Sequence, residues 1–264
     1  MKRLLCTDVD GTLHRWQAVF AYLAALGRTH PAIRRLLDDA EPLFIAYKQR
    51  RGTFMEYAGY LISRYFDEEL YVGVTVEESM KAARIALEEQ GNHLYVFTTE
   101  LLWAAKECGM ALAAISGSPQ DALVVLLERF GMHAIRGGRR QIKDGVYVRG
   151  PALDDPYHYK GRALLEIAEQ HGVDLAQSVA IGDSNADTPM LELVGYPICF
   201  KPNRELHKIA RVRGWPIVIE DRNTHHFSIY DPVHGFRRET LDTKDFLPAD
   251  IADALEARLA ARHW

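Results

Sequence analysis

Leu4-Leu5-Cys6-Thr7-Asp8-Val9-Asp10-Gly11-Thr12 stands almost at the start of the chain, and its reading decides the fold. A short, mostly apolar run closed by two aspartates and a glycine reads as a buried parallel strand with its carboxyl end at Asp8. The loop beyond places Asp8 and Asp10 near one another. Two close carboxylates repel, and a hard cation relieves that repulsion; carboxylate and backbone oxygens are the ligands Mg²⁺ prefers. Gly11 lets the backbone turn sharply there. Aspartate-rich loops are common, so the pair alone fits a solvated turn as well as a cation site.

Working outward, residues 14–97 read as mostly helical. Phe20, Leu23 and Leu26 share one stripe; Phe54, Tyr57, Ala58, Leu61, Ile62 and Tyr65 make a second. Met80, Ile85 and Leu87 lie on a third helix begun by Glu77 and Glu78, and Pro31 and Pro42 mark helix starts or breaks. From Thr98 the rhythm changes. Thr98 or Thr99 is placed to cap a helix to about Cys108. Ala111–Ile115 reads as a strand, Gln120–Phe130 as a helix, and Asp144-Gly145 as the turn of a hairpin within 142–148. Arg162–His171 is helical, Val179–Ile181 a strand, Pro189–Val194 a short helix, Ile198–Phe200 a strand, and a helix capped by Asn203 follows. Strand–helix alternation of this kind specifies an α/β fold with a mostly parallel sheet. Residues 1–13 then supply one strand of a sheet whose other strands arrive after position 98, with the helices between them as an insertion. In the tail, 218–220 and 227–230 read as edge or extra strands, 250–262 as a terminal helix, and Thr224, His225 and His226 as a polar loop.

Composition bounds the function. The 264 residues are 48 % hydrophobic and 26 % charged, which is globular and excludes a rod or a low-complexity chain. The net charge of −4 gives no global basic excess for a nucleic acid. Three widely spaced cysteines suggest neither a disulfide framework nor a structural zinc site, and fit a reducing compartment. No apolar run is long enough to span a membrane, and Asp8 and Asp10 interrupt the amino-terminal apolar run too early for a secretory segment. A cytoplasmic location is the expectation.

Three further polar clusters stand at strand or helix ends, where open α/β sheets bind ligands. Ser116-Gly117-Ser118 fits a strand-to-helix turn capped by Ser118, or a cradle of hydroxyl and N–H groups for phosphate oxygens. Lys160 begins a helix and supplies a compact positive charge; most lysines are merely solvated. In Gly182-Asp183-Ser184-Asn185-Ala186-Asp187-Thr188-Pro189-Met190, Asp183 closes a strand and Asp187 follows four residues later. Asp187 reads as a helix cap, a second pocket carboxylate, or both. Together the clusters hold a nucleophile, an acid, a cation site and positive charge, which is what phosphoryl transfer requires.

DVDGT at 8–12, ISGS at 115–118, Lys160 within YKG, and GDSNADTPM at 182–190 resemble, in order and spacing, the four motifs of the haloacid-dehalogenase-like (HAD) superfamily of phosphohydrolases. The resemblance covers roughly 1–13 and 98–214. It implies a HAD-like Rossmannoid three-layer core with a parallel sheet, and Mg²⁺ as cofactor. It implies Asp8 as nucleophile forming an aspartyl-phosphate, and Asp10 as general acid and base whose backbone carbonyl also touches the metal. Ser116, with Gly117 beside it, would bind the phosphoryl group, and Lys160 would steady its charge. Asp183 would bind Mg²⁺ directly, so that Asp8, Asp10 and Asp183 hold the ion, with Thr12 and Asp187 in support. Asp10 sets a phosphatase apart from a dehalogenase, which lacks that acid.

The insertion resembles the helical C1-type cap of the phosphoserine-phosphatase-like branch. The implied organisation is a catalytic core of 1–13 plus 98–215, a cap at 14–97, and a C-terminal extension at 216–264 packed on the core. Phosphoserine phosphatases carry a glutamate where this chain has Gln17, and Ala-Asn where it has Asn185-Ala186. Within Lys48-Gln49-Arg50-Arg51, Arg50 and Arg51 are candidates to meet a substrate carboxylate, or else lie on a solvated helix face. The expected function is Mg²⁺-dependent hydrolysis of a small phosphorylated metabolite. The alternatives are phosphoserine phosphatase proper, a phosphotransferase, and a non-catalytic binding protein on the same fold. Neither nucleic acid nor membrane is an expected partner, and no feature specifies an oligomeric state.

Overall fold

The computed structural model describes residues 2–15, 18–65, 67–90, 93–151, 153, 156–220, 227–230 and 242–262. Strand β1 (Leu4–Thr7) is followed by helices α1 (Ala18–Leu26), α2 (Pro31–Lys48), α3 (Phe54–Tyr65) and α4 (Val76–Gln90). After α5 (Val96–Glu107) come β2 (Ala111–Pro119), α6 (Gln120–Leu127) and β3 (Ala134–Gly138). A hairpin of β4 (Ile142–Lys143) and β5 (Val146–Tyr147) precedes α7 (Pro156–His171) and β6 (Val179–Gly182). The chain continues through α8 (Thr188–Leu191), β7 (Tyr196–Phe200), α9 (Arg204–Arg213) and β8 (Ile217–Glu220) to β9 (Phe227–Tyr230) and α10 (Ala249–Ala261).

The main sheet has the order β3-β2-β1-β6-β7-β8-β9, parallel throughout except for β9. β1 lies inside it, with Leu5 in register with Leu112 on one side and Val179 on the other. Being covered on both faces, it is apolar at every position but Thr7. Leu5 faces a core shared with α5, α6 and α10, whereas Leu4 and Cys6 face one shared with α7, α8 and α9. Three layers follow from that alternation. The resemblance to the HAD fold therefore holds at the level of architecture.

Helices α1 and α4 form a further core with Ala122 and Val125 of α6. A polar hub reinforces this contact. Ser79 on α4 donates to Asp121 Oδ2 (2.5 Å), Tyr147 on β5 donates to the same oxygen, and the Tyr22 hydroxyl lies 2.6 Å from Ser79 Oγ. The hairpin turns at Asp144 and Gly145, with φ of 51° and 78°, the paired positive values of a type I′ turn. Its β5 also bonds the inserted segment, through Tyr147 N–H to Val74 O (2.8 Å) and Gly73 N–H to Tyr147 O (3.0 Å).

Several boundaries differ from the sequence reading. Pro42 lies inside α2, whose buried face of Ile33, Leu36 and Ala40 carries the helix through it. Helix α5 begins at Val96, so Thr98 and Thr99 are within it and cap nothing; their hydroxyls bond Thr12 O and Tyr95 O instead. β2 extends to Pro119 because a register shift after Ile115 lets it rejoin β3 at Gly138. α7 starts at Pro156, ahead of Arg162, with non-helical backbone at Tyr159 (φ −130°). Asn203 caps α9, accepting from Leu206 N–H. Beyond residue 215, β8 joins the main sheet, and α10 buries Ile251, Ala252 and Leu255 in the α5–α6 core. Thr224, His225 and His226 lie outside the described residues. Among the described residues no helix is long and apolar enough to cross a membrane.

The packing of α10 is testable. Ile251→Ala should cost about 2–5 kcal/mol in urea unfolding, as for other buried large-to-small changes; a loss below about 0.5 kcal/mol, the scale of surface substitutions, would mean that the helix is not part of the core.

Candidate active site

The carboxyl ends of β1, β2 and β6 lie side by side, because β1 pairs with both neighbours. Each strand delivers polar groups where its hydrogen-bonding ends. Asp8 follows β1, and its N–H still bonds Ile181 O (2.9 Å), so its backbone is fixed by the sheet. The side chain is 4 % exposed. Its Oδ1 accepts from Lys160 Nζ (2.7 Å) and its Oδ2 from Thr12 Oγ1 (3.1 Å).

Lys160 reaches the site from α7 and is itself 3 % exposed. It also donates to Asp187 Oδ1 (2.5 Å). Asp187 Oδ2 turns the other way and accepts from the N–H groups of Asp183 (3.0 Å) and Ser184 (2.8 Å). Asp187 thus serves both readings of the sequence: it closes a capping box with Ser184 and presents a carboxylate to the site. Glycine makes this approach possible at two positions. A Cβ at Gly11, where φ is +87°, would collide with Asp183 Oδ2, and one at Gly182 would collide with the Asp187 carboxylate.

Asp10 sits apart from that cluster. Its Oδ2 accepts from Ser116 Oγ (2.9 Å) and Ser118 Oγ (2.6 Å), while Ser118 N–H donates to Ser116 Oγ (3.1 Å). Ser118 therefore does not cap α6; Pro119 stands at that position without a side-chain bond, because the Ser118 hydroxyl is directed to Asp10. Gly117 lies between the two serines and is partly exposed. Arg50 and Arg51 lie exposed at the turn after α2, and the Arg51 guanidinium engages Gln49. Among the described contacts neither touches the carboxylates. Gln17 lies outside the described residues. Asn185 is exposed and accepts from Asn203 Nδ2 (3.1 Å).

The electrostatics are those of crowded buried acids. Burial pushes the Asp8 carboxyl up to about 7; Lys160 opposes the shift, and the charges of Asp187 and Asp10 add to it. Burial likewise raises Asp183 to about 9, reinforced by Asp8 and Asp187. For Lys160, burial favours the neutral amine, but Asp187 and Asp8 outweigh it and hold the ammonium charged well above its ordinary range. Carboxylate oxygens of Asp8, Asp183 and Asp187 all lie within 4.8 Å of one another. One lysine cannot balance them. Hard oxygen donors, excess negative charge and a glycine-cleared approach fit a divalent cation of the Mg²⁺ type.

Sequence reasoning did not foresee that the Thr98 and Ser118 hydroxyls bond Thr12 O and Asp10, and it singled out neither Arg15 nor the Glu220 carboxylate it meets at 2.5 Å. Ser118 was within reach, since its hydroxyl follows Ser116 by two positions in the motif. Glu220 gave no signal: it is a single acid at the end of an apolar strand.

The raised acids have a measurable consequence. With metal chelated, Asp8 and Asp183 bind more protons in the folded chain than in the unfolded one. Stability should then fall as pH rises from about 4 towards about 9. Thermal unfolding in chelator across that range should show the decline, and Asp183→Asn should flatten it. A melting temperature that rises through the window would contradict the electrostatics described.

The chain is similar to known proteins in sequence and in fold. A sequence profile described as haloacid dehalogenase-like hydrolase matches residues 5–192. A probable phosphatase of Mycobacterium tuberculosis is 31 % identical over 125 residues, 47 % of this chain and 44 % of that protein. The chain thus spans less than half the length of that relative. Among solved structures, a Bordetella pertussis protein of unknown function superposes with a TM-score of 0.64 at 22 % identity, over 82 % of this chain and 98 % of that one. A structure described as a phospho-aspartyl intermediate analogue of phosphoserine phosphatase gives 0.54 at 21 % identity, over 84 % and 94 %. These two likenesses bear on the fold. With the profile spanning both aspartate motifs and everything between them, the chain belongs to the haloacid dehalogenase-like hydrolase family.

Proposed function

We propose that this chain is a Mg²⁺-dependent phosphomonoester hydrolase acting on a small organic phosphate, with residues 14–97 as a cap over a core formed by 1–13 and 98–215. The supporting observation is the pairing of Asp8 with Lys160 inside a cluster of further carboxylates, beside an Asp10 held by two serine hydroxyls. The similarity to a probable phosphatase of Mycobacterium tuberculosis supports the same class.

The chemistry follows from the contacts. Lys160 favours the anionic form of Asp8 against the burial that raises it, and in that form the carboxylate oxygen attacks phosphorus. Thr12 and Lys160 fix the two oxygens of Asp8, which limits the orientations from which attack occurs. The acyl-phosphate forms as the P–O bond to the leaving alcohol breaks. Asp10, within reach of Ser116, donates a proton to the departing alkoxide. It then takes a proton from the water that attacks the phosphorus of the aspartyl-phosphate and frees Asp8. In this reading Ser116 and the turn around Gly117 bind phosphoryl oxygens. A magnesium ion held by Asp8, the Asp10 carbonyl and Asp183 would neutralise charge on the phosphoryl group; Asp187 would orient this site through Lys160 and the Asp183 N–H.

The packing of α1 and α4 on α6, directly after the serine loop, supports reading the inserted helices as a cap. Phosphoserine itself is the narrower reading of the substrate. A neutral Gln17 in place of an acid for the substrate amine, and exposed positions for Arg50 and Arg51, the candidates for its carboxylate, favour the broader class of small organic phosphates.

A panel of phosphoserine, histidinol phosphate, phosphocholine, sugar phosphates and nucleoside monophosphates, assayed with Mg²⁺, tests the reading. At least one should turn over, and activity should fall to background in chelator. Asp8→Asn should lower kcat by about 10³-fold or more, and Asp10→Asn by about 10²–10⁴-fold, the range for loss of an acid–base group. Undiminished turnover in Asp8→Asn would refute the mechanism.

A further inference from the structure

The chain crosses between the sheet and α1–α4 at two places, and they run side by side. His14 and Leu94 form an antiparallel bridge. Arg15 N–H donates to His93 O (2.8 Å), and Tyr95 N–H donates to Leu13 O (2.9 Å). These two passages are the covalent connections at either end of the inserted helices, so their geometry sets how that unit meets the sheet.

One ion pair, its glutamate fully buried and its arginine partly so, holds both passages. Arg15, on the outgoing passage, lays its guanidinium over the Tyr95 ring, 4.6 Å from its centroid, and donates Nε–H to Leu94 O (3.2 Å) on the returning one. Its Nη2 meets Glu220 Oε1 at 2.5 Å. Glu220 is the last residue of β8 and is fully buried. Its other oxygen accepts from Phe97 N–H (2.9 Å) in the first turn of α5, where a carboxylate complements the helix dipole. Lys201 Nζ donates to Glu220 O (2.6 Å), its ammonium 5.7 Å from the Tyr95 ring centroid. Glu220 therefore joins the sheet, the outgoing passage and the helix that the returning passage enters.

The same elements reach the catalytic loop. Thr98, one residue beyond Phe97, donates to Thr12 O (2.8 Å). The N–H groups of Leu13 and His14 bond Val9 O, and Gly11 N–H bonds His14 O. Asp10 thus sits on a tight turn whose far end is tied to Arg15. A buried ion pair is seldom the most stable filling for such a space, and apolar residues of similar volume often serve stability as well. What the pair adds is direction: each charge-assisted bond admits a narrow range of angles.

We propose that Arg15 and Glu220 are positioning residues that clamp the hinge between the sheet and the inserted helices and set how those helices close over the carboxylate site. The consequence for substrate rests on the cap reading above; the clamp itself does not.

Three variants test it: Glu220→Gln, Arg15→Lys, and the double apolar variant Arg15→Met with Glu220→Leu. Amide hydrogen exchange on the substrate-free protein should rise about ten-fold or more in peptides covering 9–15 and 93–98 while β2 and β6 stay protected, as for local opening. With p-nitrophenyl phosphate and Mg²⁺, KM should rise about five-fold with kcat within about two-fold, a split that partial unfolding would not produce. The double variant should keep the wild-type melting temperature and still show both changes. Wild-type exchange in the double variant, or exchange that rises uniformly over the sheet, would overturn the proposal. Localised exchange in a protein inactive on phosphoesters would support the clamp and defeat the phosphatase reading. Active enzyme with unchanged exchange would do the reverse.

Discussion

The ammonium of Lys160, lodged between Asp8 and Asp187, is the contact on which the site depends. A buried carboxylate is costly unless paired and hydrogen-bonded, and here three come together at adjacent strand ends. Lys160 balances part of that charge. Backbone N–H groups of Asp183 and Ser184 satisfy the far oxygen of Asp187, and Thr12 satisfies the second oxygen of Asp8. Burial, reinforced by the charges of Asp8 and Asp187, raises the Asp183 carboxyl to about 9, and Lys160 offsets only part of that. That residual imbalance is the physical argument for a cation, and it is built from the same side chains that would perform the chemistry.

The sheet makes this crowding possible. β1 and β6 are adjacent, so residues distant in sequence reach one point without any long loop having to be ordered. Glycines 11 and 182 remove the side-chain bulk that would keep the acids apart. Around this rigid centre, the inserted helices are attached by contacts of another kind. They share an apolar core with α6, a polar hub at Asp121, backbone bonds to the hairpin, and the Arg15–Glu220 clamp at the crossing. If the inserted helices act as the proposed cap, a fixed centre with a separately tied cover suits a reaction that must admit a substrate and then exclude water.

Much of this was legible in the sequence. The apolar strand ending at Asp8, the hairpin at Asp144-Gly145 and the Asn203 cap are local signals, and each stands in the structure. So do the mostly parallel sheet that strand–helix alternation specifies and the three layers that the family resemblance implies. The errors share a cause, namely tertiary contacts overriding local preference. Thr98 and Thr99 were read as caps, but the carboxylate of Glu220, 123 positions away from Phe97, takes that role. Ser118 was read as a cap, but Asp10 across the sheet attracts its hydroxyl. Pro42 was read as a break, but a buried helix face overrides it. The candidates for substrate contact were the least legible: Arg50 and Arg51 are exposed at the turn after α2, and Gln17 lies outside the described residues.

The central claim, that Asp8 attacks phosphorus while neighbouring charges hold it in place, is open to direct observation. Enzyme mixed with a turned-over phosphoester and Mg²⁺ can be quenched in acid within milliseconds and digested for mass spectrometry. The account predicts one phosphoryl group on the peptide containing Asp8, gained and lost at the rate of turnover. Turnover with no phosphoryl group on that peptide at any quench time, or with the group on a serine or histidine elsewhere, would contradict it.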